Sequence, residues 1–122
     1  MKDSIIYEKA FKFAVRVVEQ YRELTENKKE YVLSKQFLKA GTSIGANVRE
    51  GLEGQSKKDF VAKLSIALKE ACETEYWIEL MVATSYLSES TGKALLADVM
   101  EIIRILNSIL KTSRKNLECE VS

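Results

Sequence analysis

The chain has no proline and no histidine, only two cysteines and only five glycines. Each shortage removes a class of answer. Turn-rich β folds lean on proline and glycine for their reversals, so 122 residues with so little of either point to long uninterrupted helices. Without imidazole there is no Ser-His or Cys-His nucleophile, no Glu-x-x-His di-iron site and no His-ligated zinc. Cys72 and Cys119 are too far apart for metal-ligand spacing and read as reduced thiols of a cytoplasmic protein. The start, Met1-Lys2-Asp3-Ser4, lacks the apolar region of a signal peptide. No stretch approaches the roughly 20 apolar residues that span a bilayer, so no membrane partner is expected. Charge of one sign is lacking too: 19 Lys and Arg face 18 Asp and Glu, a net +1 that supplies no global attraction to nucleic acid.

What is present suits one folded core, with 46% hydrophobic and 30% charged residues. Ile6, Ala10, Phe13, Val17, Tyr21 and Leu24 recur at helical spacing, in a helix opened by Asp3 or Ser4. A polar stretch from Thr25 to Glu30 separates them from Leu33, Phe37, Ala40, Ile44 and Val48. Ser56-Lys57-Lys58-Asp59 is close to a capping box, in which a hydroxyl and a carboxylate satisfy the orphan amides of a helix start. Phe60, Leu64, Ala67, Ala71, Ile78 and Met81 follow it, then a break from Ser88 to Gly92, then Leu95, Val99, Ile102, Leu106 and Ile109. The expected helices cover about 4–25, 31–52, 57–87 and 91–115, with 116–122 a frayed tail. Short connections make the fold an all-α, antiparallel up-down-up-down four-helix bundle in one domain.

Apolar residues exceed what these stripes need. Leu96, Ile103 and Leu110 form a second line on the last helix, and the third carries Val61, Leu68, Cys72, Tyr76, Trp77, Leu80 and Val82. Either the core face is wide and some apolar residues stay exposed, or the surplus forms subunit contacts. Gly41 and Gly45 share a face of the second helix, where each costs roughly 1 kcal/mol relative to alanine. Close approach of a neighbouring backbone or of a ring such as Trp77 explains them, with a ligand groove or an irregular helix as alternatives.

Few constellations can carry chemistry. Glu70, Glu73, Glu75 and Glu79 cluster on one helix, where Glu50 or Asp98 would have to join them to hold a metal. A solvated face is the simpler reading, and neither metal nor cofactor is expected. Ser43 and Cys72 lack a base, and Gly41 to Gly45 lies within a helix without the Gly-Lys-Ser/Thr ending of a phosphate loop. Asn47 and Glu50 are costly to bury unpaired, so a polar network with Ser43 and Glu75, neutralised by Arg49, is expected beside Gly51. The basic clusters are Lys28-Lys29, Lys57-Lys58, and Lys111 with Arg114 and Lys115. They either offset helix dipoles and aid solubility, or Lys57, Lys58, Lys111, Arg114 and Lys115 contact phosphates.

Gln36, the run from Lys39 to Gly51, Ser56 followed by Phe60, and Lys69-Glu70-Ala71-Cys72-Glu73-Thr74-Glu75-Tyr76-Trp77 together resemble the bacterial 23S rRNA-intervening-sequence, or S23, family. The likeness covers nearly the whole chain and extends to accessory variability proteins of diversity-generating retroelements. The Ser-Ile-x-x-Asn-x-x-Glu-Gly string from Ser43 to Gly51 is its specific part. The resemblance implies a four-helix bundle assembling as a homopentamer, without enzymatic activity. In the retroelement members it implies a basic surface for nucleic acid and a reverse transcriptase. This chain departs from those members in its near-zero charge, and in Gly41 where Ser or Ala is more usual. The function expected is a non-catalytic, homo-oligomeric scaffold for RNA, DNA or a nucleic-acid enzyme. A protein-only adaptor and a carboxylate-based metal enzyme are the alternatives.

Overall fold

The computed structural model describes residues 4–121, all of whose regular structure is helical. The helices are α1 (Ile5–Glu26), α2 (Leu33–Leu52), α3 (Lys57–Ala83) and α4 (Glu89–Val121). α1 packs on α2 and α4, and α3 on the same two, so the helices form a ring in which α1 stands diagonally opposite α3, and α2 opposite α4. The α1–α4 seam is the thinnest. Two ion pairs bridge it, Lys9 with Glu101 at 2.6 Å and Arg16 with Asp98. No described helix is long and apolar enough to cross a membrane.

Three helix starts follow local rules. The hydroxyls of Ser4, Ser56 and Ser88 accept from the amides of Tyr7, Asp59 and Thr91, each three residues on. Asp3, the other candidate for opening α1, lies outside the described residues. α2 starts differently, because Val32 before it provides no side-chain cap. Instead the Glu30 carboxylate folds under the helix, accepting from the amides of Val32 at 3.1 Å, Leu33 at 3.0 Å and Ser34 at 2.7 Å. The Ser34 hydroxyl returns a bond of 2.8 Å to the Glu30 carbonyl. Glu30 is only 8% exposed. Burial pushes its carboxyl up, but the bonds from Ser34, Leu33 and Val32 together outweigh that and hold it below the usual range.

The core is built where the expected stripes meet, around Phe13, Phe37, Ile44, Leu64, Ile78, Met81 and Leu106. Three glycines set how closely helices cross, Gly92 of α4 among them, where a Cβ would stand 2.3 Å from a methyl of Val82 on α3. A Cβ on Gly41 would stand 2.7 Å from a methyl of Val17, and one on Gly51 2.5 Å from a methyl of Leu64. Val17 of α1, not Trp77, is thus the neighbour that Gly41 accommodates, and Gly45 faces Ala10.

Two boundaries and one core position differ from expectation. α3 stops at Ala83, short of 87, because the chain turns through Ser85 in the left-handed region (φ 68°) and buries Leu87 in the core. α4 continues helically through 116–121, where a frayed tail was expected; Ser122 lies outside the described residues. Leu110, read as surplus, is 1% exposed, whereas Ile109 is only half-buried. Lys9 opposite Glu101 places the start of α1 near the middle of α4. Later turns of α4 therefore outrun α1, and their core face swings toward α3, where Arg114 bonds Ser65 at 2.9 Å. Leu96 and Ile103 likewise pack against the core.

Candidate binding surfaces

The string from Ser43 to Gly51 occupies two faces of α2. Its inner face, Ile44, Gly45, Val48 and Gly51, is buried in helix contacts. Its polar side chains do not form the expected network. The Ser43 hydroxyl donates to the Lys39 carbonyl at 2.6 Å, and the Asn47 amide to the Ser43 carbonyl at 2.8 Å. The helix itself supplies these acceptors one turn back, so neither group needs a partner on α3. Glu50 is exposed and faces Lys63 of α3 at 3.7 Å. Arg49 pairs with Glu53 at 3.0 Å instead of folding back onto the motif. Glu75 stays on α3, half-buried, beside Cys72. Of the five residues expected to act together, only Ser43 and Asn47 are directly bonded, and that through the main chain.

The carboxylates do not converge either. Glu73 accepts from the Trp77 indole at 3.3 Å. Burial and then the charge of Glu73 push the Glu70 carboxyl up, against the pull of Lys69 and Lys39. Asp98 is taken by Arg16 and Glu50 lies beside Lys63, so neither joins the α3 glutamates. Among the described residues no group of three or more His, Cys, Asp or Glu could hold a metal ion. Partial burial and the charge of Glu75 push the Cys72 thiol up, the opposite of what a nucleophile needs.

The cations gain from the topology. Antiparallel order sets the start of α3, with Lys57 and Lys58, at the same end of the bundle as the last turns of α4, with Lys111, Arg114 and Lys115. All five are exposed, and Arg114 bonds Ser65 of α3 across the two helices. Lys57 and Lys58 occupy an N-terminal first turn, where the helix dipole disfavours positive charge, so dipole compensation does not account for them. Lys28 and Lys29 lie at the opposite end.

Sequence reasoning missed one surface. On α1, flanking the core stripe on the side toward α2, Phe11 and Val15 are exposed, and Tyr7, Ala14 and Val18 lie half-buried beside them. This row borders a shallow groove floored by Gly45 and Ala46 of α2 and rimmed by Arg49. Steps of four, three and four from Tyr7 to Val18 were a readable signal, overshadowed by the stronger core stripe on the same helix.

Residues 2–108 match the family model described as 23S rRNA-intervening sequence protein. The crystal structure of a protein with unknown function from the S23 ribosomal protein family of Bacteroides thetaiotaomicron is similar at a TM-score of 0.87 and 48% sequence identity. That likeness covers 88% of this chain and 99% of the other. The search of curated proteins found no match. Neither description names a catalytic activity.

Proposed function

We propose, from the premise that this chain belongs to the 23S rRNA-intervening sequence protein family, that it is a non-catalytic cytoplasmic scaffold. It self-associates, as the pentamer that the family resemblance implies, and presents one cationic end of each bundle to RNA. The gathering of Lys57, Lys58, Lys111, Arg114 and Lys115 at one end carries this reading. A few phosphate contacts per subunit bind weakly, and repetition around an oligomer multiplies them.

The test is fluorescence anisotropy with a labelled structured RNA over a salt series. The expected result is affinity that falls steeply with salt, at roughly 0.9 in log–log slope per duplex phosphate neutralised, and shows little sequence preference. Replacing all five cations with glutamine should flatten that slope. Tight binding that persists in high salt, or survives the five replacements, would overturn the assignment of this surface. Light scattering with size-exclusion chromatography should give an oligomer mass at micromolar concentration; a monomer mass would remove the scaffold.

A further inference from the structure

The helices close into a ring through four seams, and three of them are fastened alike. Each of the three joins helices that follow one another in the chain, so a short turn holds its two sides together. Each also contains a glycine that lets the helices cross closely. Gly41 meets Val17 and Gly45 meets Ala10 between α1 and α2, Gly51 meets Leu64 between α2 and α3, and Gly92 meets Val82 between α3 and α4. The seam between α1 and α4 has neither device. It joins the first helix to the last, contains none of the five glycines and is the thinnest of the four.

Charge spans it instead. Lys9 pairs with Glu101 at 2.6 Å and Arg16 with Asp98, in each case a cation of α1 with a carboxylate of α4. Two clefts of about 150 and 360 Å³ run along the seam and share Arg16 and Asp98, so that ion pair stands as a bridge between them. Phe13, Leu95 and Ile102 line the clefts from beneath, each 3% exposed or less. Lys12 lines the smaller cleft between Lys9 and Arg16 and has no carboxylate partner among the described residues.

We propose that the α1–α4 seam is a charge latch. α1 and α4 part along it, with the broad α2–α3 seam on the far side of the ring as the spine, while the other three seams stay packed. Opening bares the apolar strip of Phe13, Leu95 and Ile102 without unfolding a helix. Both ion pairs stand partly in water, where such pairs hold weakly and salt screens them, so ionic strength sets how often the latch is open.

Thiol labelling tests the latch. In a chain carrying Cys72→Ser and Cys119→Ser, one buried isoleucine at a time is replaced: Ile102→Cys beneath the latch, Ile44→Cys on α2 and Ile78→Cys on α3. Reaction with N-ethylmaleimide is followed at low urea, and circular dichroism checks each fold. The Ile102→Cys thiol should react faster than the other two and with a shallower urea dependence, because a local opening exposes less surface than global unfolding. Asp98→Asn should speed that thiol about two- to fivefold, the range a partly exposed ion pair supports, and Glu101→Gln should add to it. Added salt should speed it as well, whereas Lys12→Gln, which breaks no pair, should leave the rate unchanged. Equal urea slopes for the three thiols would mean that Ile102 is reached only by global unfolding and would overturn the proposal. So would a rate at Ile102→Cys that ignores salt and both neutralisations, or one that Lys12→Gln raises as much as they do. Should Ile102→Cys fail to fold, Leu95→Cys reads the neighbouring cleft of the same seam.

Discussion

The starts of α2 and α3 solve the same problem by different means. Both helices open with amides that have no intrahelical acceptor. At α3 the exposed Ser56 hydroxyl takes one of them, from Asp59 at 3.1 Å. At α2 the carboxylate of Glu30, lying before the helix and buried beneath it, takes three. The α3 cap is modular and marks a boundary. The α2 cap binds the helix to the turn before it, since the Glu30 amide in turn donates to the Leu24 carbonyl of α1 at 2.9 Å. A charge can thus be a structural centre in a helical bundle.

The contrast is broken most severely by Glu30→Ala, which strands three amides. Charge-assisted bonds of this kind support a loss of about 3 kcal/mol, read from urea unfolding. An unchanged midpoint would mean that water replaces the carboxylate at no cost. Glu30→Gln sharpens the contrast, because it keeps the shape and removes the charge; about 1–2 kcal/mol should be lost. Its signature is in pH. The folded-state pKa of Glu30 lies below its ordinary value of 4.5, so the carboxylate's contribution is present above that value and lost as pH falls through the folded pKa. Wild type should therefore lose more stability than Glu30→Gln on acidification below 4.5. Parallel curves would reject the role of the charge. Ser56→Ala should cost about 1 kcal/mol, with the same acid dependence as wild type. Smallest of all is Asn47→Ala. Its amide bonds only its own helix, so a melting-temperature change equivalent to about 0.5 kcal/mol or less is expected, far from the cost of a buried network.

Where residues met partners at helical spacing, the sequence was legible. The core stripes, the Ser4 and Ser56 caps and the four helices could be read because i, i+3 and i+4 relations suffice for them. Glu30 could not be, since a buried acid in a polar turn looks like any solvated one until the chain folds under the helix. Leu110 and Ile109 exchanged roles because the overhang of α4 past α1 depends on how the helices are staggered, which no single stripe records. Asn47 misled because a small polar residue among glycines suggests a neighbour across the bundle, while its own backbone offers an acceptor. Lys57 and Arg114 are far apart in the chain, and the antiparallel topology brings them to one end.

The buried cap also decides how the molecule breathes. First-turn amides normally exchange their hydrogens with solvent quickly, because nothing holds them. Those of Val32, Leu33 and Ser34 are tied to a carboxylate that solvent hardly reaches. Their exchange then requires the turn between α1 and α2 to come away from the core, so three amides at a helix end report the opening of a hairpin and not the fraying of a tip.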